Sequence, residues 1–259
     1  MSFPKFYPHI ATSDLTLAQF LASAAALAVA TVFLVAYIDY HHYCSLGDHG
    51  LPGNFQGWKK QLQMSRFARK DTRIPAPYNL ESILKDYGPY ATRSFFNIPL
   101  QDRIGNRPRI SGFVAPQRQI CDQASTEMKM RMNSHLDSLA STNGRLLQRE
   151  LSRLEGPVPA VQLHPSLPMP AFLERIRGEI IHIHPPDGST HLVLSLEDSK
   201  TSIKRGWGER HRLSGGRMLP WNYTLVYAPR DEKEFEVWKG IVEAAASFCC
   251  AQAGKIEGI

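Results

Sequence analysis

Four histidines, His182, His184, His191 and His211, fall within the segment Glu179–His211. His182 and His184 alternate with Ile181 and Ile183, and side chains two apart on a strand point the same way. The turn formers Pro185-Pro186-Asp187-Gly188 follow, and then Thr190, Leu192 and Leu194 alternate with His191 and Val193. The pattern predicts a β-hairpin with imidazoles on one face and aliphatic side chains on the other. A four-residue loop would pair His182 with His191 and His184 with Ser189. A two-residue turn at Asp187-Gly188 would pair His184 with His191. Either register gathers all three imidazoles.

Three imidazoles on one face could be no more than a half-exposed polar surface. Two chemistries compete with that reading. His182, His184 and His191 could ligate a divalent metal. Alternatively, they act as bases and hydrogen-bond donors near neutral pH. The chain contains no HExxH and no paired CxxC. A second constellation, Arg205-Gly206-Trp207-Gly208-Glu209-Arg210-His211, reads as a tight loop delivering acid, cation and imidazole beside the histidine face. Its plainer reading is an Arg–Glu surface pair over a buried Trp207. Tyr227 and Arg230 close the next strand and are candidates for the same edge.

These residues need a scaffold, and the pattern supplies one from Ala171 onward. A helical turn opens it, followed by the two hairpin strands. Ser195 with Asp198 caps a helix that ends at Gly206, and Asn222–Tyr227 is a third strand with Tyr223, Leu225 and Tyr227 on one face. Asp231 with Glu234 starts the last helix, whose stripe of Phe235, Trp238, Ile241, Val242, Ala245 and Phe248 is core. The expected class is α+β: a small sheet in the order β-β-α-β-α with helices on one face, preceded by a helical and irregular region and one N-terminal transmembrane helix.

Upstream, residues 1–14 are a tail, and residues 15–38 form an uncharged run between Asp14 and Asp39, long enough to span a bilayer. A signal peptide is disfavoured because only Lys5 precedes the run, the run is long for a signal peptide's apolar region and no good cleavage site follows it; a buried helix of a soluble protein is the third reading. Residues 39–118 read as a connector, a juxtamembrane helix over Gln56–Lys70 and an irregular arm with a short helix near Leu80–Tyr87. Lys59 to Arg118 holds 12 Lys and Arg against 4 Asp and Glu. Without a nucleic-acid motif, that basic stretch suits an anionic membrane surface and not nucleic acid. Residues 119–170 read as a helix over Ile120–Leu154, broken near Ser141–Gly144, and a linker with five prolines between Pro157 and Pro170. Four cysteines are too few for a disulfide framework and read as reduced thiols. Asn222-Tyr223-Thr224 is the one N-x-[ST] sequon, and a glycan there would report a lumenal domain; the basic stretch leans instead towards the cytosol.

The series EIIHIH, STHLVLS, RGWGERHRLSG and YTLVYAPRDEKE resembles the fungal luciferase family over about 80 residues. A fainter likeness extends through Asn54-Phe55-Gln56-Gly57 and Arg103–Ile110. Arg212 stands where the family pattern has proline, and the hairpin turn is about one residue shorter. The resemblance implies addition of oxygen to an enolic pyrone of the 3-hydroxyhispidin type, with molecular oxygen as co-substrate and no flavin or nicotinamide cofactor. It further implies a membrane-anchored enzyme of an endomembrane such as the endoplasmic reticulum, with residues 171–259 as the luciferase-like domain. On that reading His182, His184 and His191 form the base and hydrogen-bonding face with His211. Arg210 and Arg230 stabilise the anion, Glu209 orients a histidine, and Trp207 and Tyr227 flank the ring. A metal-dependent hydrolase with the hairpin histidines as ligands is the first alternative, and a non-catalytic membrane-anchored binding protein the second.

Overall fold

The computed structural model describes residues 16–47 and 50–258. The expected N-terminal tail, and Leu15 at the start of the apolar run, lie outside them. The chain divides into two units, Met1–His42 and Tyr43–Ile259. Helix α1 (Leu17–Ser45) is long and apolar enough to cross a membrane, and none of its most apolar window is buried in the molecule. It continues past the expected end at Ile38.

The second unit carries α2 (Phe55–Ser65), α3 (Leu80–Tyr87), α4 (Thr126–Thr142), β1 (Leu147–Leu151), β2 (Pro159–Leu163) and α5 (Ala171–Glu174). They are followed by β3 (Glu179–Ile183), β4 (Thr190–Val193), α6 (Leu196–Lys204), β5 (Gly208–Arg210), β6 (Tyr223–Val226) and α7 (Glu232–Cys250). Asn54, Asn79, Ser125, Ser195 and Asp231 each accept a backbone N–H of the first turn of α2, α3, α4, α6 and α7; Ser195 and Asp231 are the expected caps, whereas α4 begins at Thr126 and not at Ile120, and α2 ends at Ser65 and not at Lys70.

The six strands form one antiparallel sheet ordered β1-β2-β3-β4-β6-β5. This corrects the expected β-β-α-β-α order in two places. The segment from Leu147 to Leu163, read as the end of a helix and a proline-rich linker, is a strand hairpin. Proline excludes helix but not a strand's first residue, which is where Pro159 sits. Gly208–Arg210, read as loop, is a three-residue strand, too short for periodicity to reveal. Beyond it, Arg69 N–H donates to Arg212 O and Arg210 N–H to Thr72 O, both at 2.8 Å, so the basic arm continues the sheet edge.

Register sorts the two faces. Ile181, Leu192, Thr224 and Arg210 are successive cross-strand neighbours on one face. The same face meets the helices: Ser199 of α6 bonds Thr224, Trp238 of α7 bonds Thr190, and Arg149 of β1 bonds Asp137 of α4. His182, His191, Leu225 and Glu209 lie in register on the other face, against the arm around residues 103–119.

Arg103 fastens that arm. Its buried guanidinium forks onto Glu234 at 3.1 and 3.0 Å and donates to Ala228 O at 3.1 Å. Arg103→Met is expected to cost about 2 kcal/mol, since Glu234 keeps Arg230 as a partner and is not left as a lone buried charge. Urea denaturation measures it, and an unchanged midpoint would show that the arm is fastened elsewhere. Asn222 is fully buried and its amide donates to Leu194 O, so the folded chain does not present the sequon to a glycan. Absence of a glycan therefore does not report on the sidedness of the folded domain.

Candidate functional site

The hairpin closes through the four-residue loop: Gly188 N–H donates to His184 O, and His184 N–H to Ser189 O, both at 2.9 Å. Gly188 has φ +81°, and a Cβ there would meet Ala124 Cβ at 2.7 Å, so the turn requires glycine. The resulting register sets His182 opposite His191. Ring centroids lie 5.2 Å apart for His182–His184, 5.3 Å for His182–His191 and 4.6 Å for His184–His191. His211, just past β5, comes within 5.0 Å of His191. All four imidazoles are buried, with Tyr223 against His191 and His211.

Each hairpin histidine is held by a partner. Glu179 Oε1 lies 2.5 Å from His182 Nδ1, and its other oxygen accepts from Ser152 Oγ and Arg153 N–H, both at 2.8 Å. Strict alternation would turn Glu179 to the helix-covered face with Ile181. A bulge where β2 shifts register against β3, with Gln162 opposite Glu179, turns the carboxylate back towards His182. On the other side, Asp187 Oδ1 accepts from Ser189 N–H and Oγ–H, and Ser189 Oγ lies 2.8 Å from His184 Nδ1. His184 Nε2 is 3.2 Å from His191 Nδ1.

These partners assign the tautomers. A carboxylate can only accept, so His182 Nδ1 carries a proton, and in the neutral ring its Nε2 is a lone pair. Ser189 donates to Asp187 and accepts from His184 Nδ1–H; His184 Nε2 then accepts from His191 Nδ1–H. His191 Nε2 is left as a second lone pair. Both Nε2 atoms are buried without a hydrogen-bond partner. His211 differs: its Nδ1 accepts from Leu213 N–H at 3.0 Å, which puts its proton on Nε2.

Burial, with the positive field of Arg118 and the neighbouring imidazoles, holds His184 and His191 well below the ordinary histidine range. His211 is lowered to about 3 by burial and by His182. Burial pushes Asp187 up to about 6 against its bonds to Ser189. Burial also pushes the Glu179 carboxyl up, but His182, Ser152 and the Arg153 N–H outweigh it and leave it low. Arg118 is itself buried, 2.8 Å from Glu155, whose Oε1 is 3.9 Å from His184 Nε2.

The remaining sequence candidates gather elsewhere. Glu209 shares the histidine face, but Leu225 stands in register between it and His191, and its partners are Tyr227 Oη, Gln117 and Arg73. Arg210 is on the opposite face, tied to Asp71 and Ile74 O. Trp207 donates to Gln101 O, and Arg230 pairs with Glu234. Sequence reasoning missed Glu179, Asp187, Ser189, Arg118 and Tyr223. The Asp187-Gly188-Ser189 turn was a legible signal for two of them, whereas Glu179 depends on the bulge.

His182, His184 and His191 offer ligand atoms within 4.8 Å of one another. The fit to a metal is partial, because His184 Nε2 is committed to His191 and only two lone pairs are free.

A family model described as a luciferase domain matches residues 177–245. A luciferase of Neonothopanus nambi is 30% identical over 246 residues, covering 89% of this chain and 87% of that protein. Luciferases of Armillaria gallica and Armillaria mellea are each 29% identical, over 241 and 237 residues, covering 88% and 86% of this chain and 87% and 85% of their own lengths. No solved structure matches the chain.

Proposed function

This chain belongs to the fungal luciferase family, and on that premise we propose that it is a membrane-anchored oxygenase of a small enolic or aromatic metabolite of the pyrone type. The observation that carries the reading is the pair of buried Nε2 atoms, of His182 and His191, that have no hydrogen-bond partner. An enol must lose its proton before it can pass an electron to oxygen, and a neutral imidazole Nε2 is the acceptor that these two rings offer. The low proton affinity of His191 keeps it unprotonated at neutral pH and also makes it a weak base, so any proton it takes must be passed on at once. Arg118 supplies a fixed positive field near the site for the enolate. Molecular oxygen is the co-substrate in this reading, with no organic cofactor.

A second reading is favoured by the proximity of the three hairpin histidines. In a metal-dependent, hydrolase-like enzyme, His182, His184 and His191 would hold a divalent ion acting as a Lewis acid. Glu179 on His182, and Ser189 with Asp187 on His184, already occupy the ring nitrogens that a metal leaves free. An oxygen-consumption screen against pyrones and catechols, paired with elemental analysis of the purified chain, separates the two. Turnover by metal-free protein is the expected result. Turnover that tracks a stoichiometric metal and disappears with a chelator would establish the second reading.

The anchor is α1, supported by its length, its composition and the basic stretch that follows. That stretch also supports a cytosolic domain on an endomembrane.

A further inference from the structure

Helix α2 buries one side and exposes the other, where Phe55 also packs on Trp58. Gly57 and Gln61 face inward: a Cβ on Gly57 would lie 1.8 Å from Pro52 O, and Gln61 Oε1 accepts from Val114 N–H. The outward side carries Phe55, Lys59, Leu62 and Arg66, spaced four, three and four apart and therefore one stripe. Phe55 is 57% exposed and Leu62 40%, and α2 contains no acidic residue. Phe67, 78% exposed, extends the stripe to the lip of a groove of about 840 Å³, where Met218, 52% exposed, lies with Leu213, Arg66 and Arg217. Asp71 is the one acid in its lining, and Arg210 ion-pairs with it at 2.8 Å. A second apolar groove, beside Ile98 and Val237, carries Glu236 and Glu243 against Lys239. Charge thus distinguishes the two.

We infer that the outward stripe of α2, with Phe67 and Met218, docks on an anionic phospholipid surface. Exposed aromatic and aliphatic side chains among lysine and arginine are the chemistry of an interfacial helix: the apolar groups enter the headgroup boundary and the cations meet lipid phosphates. Nine residues separate Ser45 from Phe55, which span at most about 30 Å. The docking rests on the anchor reading for nearness to the bilayer, and on α2 itself for its chemistry. Leu213, in the groove, donates its N–H to His211, so docking would present to lipid a groove that adjoins the histidine cluster.

The test uses the full chain with Cys44→Ser and Cys121→Ser, bearing a fluorophore at Leu62→Cys. It is mixed with phosphatidylcholine vesicles containing headgroup-spin-labelled lipid, with or without phosphatidylserine. The label is expected to be quenched far more on the anionic vesicles. Adding Lys59→Glu and Arg66→Glu should lower the docked-to-undocked ratio at least about five-fold, while the chain still floats with the vesicles. A label at Met130→Cys, an exposed position on α4, should stay bright throughout. A chain that floats with a bright Leu62→Cys label on both vesicles overturns docking and leaves the anchor intact. Failure to float on either vesicle overturns both. Equal quenching on the two vesicles removes the anionic specificity. Occlusion of the label by protein concentration alone assigns the stripe to a second copy of the chain and also overturns docking.

Discussion

Acidification from pH 7 to about pH 5 is expected to destabilise the second unit strongly. Three buried histidines, His184, His191 and His211, and the half-buried His135 bind protons more weakly in the folded chain than in the unfolded one. Burial is the largest cause for each, and His135 falls to about 4 and His211 to about 3. As the pH drops below the unfolded histidine value near 6.5, the unfolded chain takes up protons that the folded chain refuses. Stability is therefore present above that value and is lost below it. Asp187 opposes the trend. Its folded value of about 6 lies above the unfolded one, so the folded chain gains one proton as the pH falls through that range. Four protons against one leave at most three, or up to about 4 kcal/mol lost per pH unit, and Asp198, also raised by burial, subtracts from that. Domains are stable by about 5–15 kcal/mol, so about one to four units consume the whole of it. Urea unfolding followed by far-UV circular dichroism from pH 7.5 to 5 measures the slope. His135 lies among Phe235 and Trp238, and His135→Phe should remove about one proton from the slope. A flat profile would mean that the histidines are solvated, and the enclosed site would fall with it.

The same burial marks the limit of what the sequence showed. Alternation of histidine with isoleucine located the hairpin, because a period of two is specific for a strand with two unlike faces. The turn residues left two registers open, and only contacts of the Pro185–Gly188 loop with the rest of the chain, such as Ala124 N–H to Asp187 O, select the longer one. Burial of the histidine face was not legible, since the arm that covers it has no periodicity. Its hold is written in isolated long-range pairs, Gln117 with Glu209 and Arg103 with Glu234. Local spacing also misplaced Arg210. It is adjacent to Glu209 and His211, yet adjacency on a strand puts a side chain on the opposite face. The Trp207–His211 loop thus splits into a structural cation, a Glu209–Tyr227 pair and one imidazole that joins the site.

Replacing His182 or His191 with asparagine is expected to cut oxygen-dependent turnover by about 10²–10⁴-fold, the range for losing a general base, with little loss of stability. Alanine would be the wrong probe. His182→Ala would strip Glu179, 1% exposed, of its imidazole and leave a buried carboxylate short of a partner. Asparagine places its amide nitrogen near the position of Nδ1. His182→Asn can still donate to Glu179, and His191→Asn to His184 Nε2, while each removes the Nε2 lone pair. Site and scaffold are thereby separated within one residue. Ile181→Asp is the scaffold control: Ile181 is fully buried on the helix-covered face, and an unpaired carboxylate there should unfold the unit. Turnover on the enol identified by the oxygen screen, and urea midpoints, are measured for all three variants. Asparagine variants that keep turnover would show that neither lone pair takes the substrate proton. Variants as unstable as Ile181→Asp would show that Nε2 has a structural partner. Loss of turnover with an unchanged midpoint, together with metal-free activity of the parent chain, leaves proton abstraction at these two nitrogens as the role that fits.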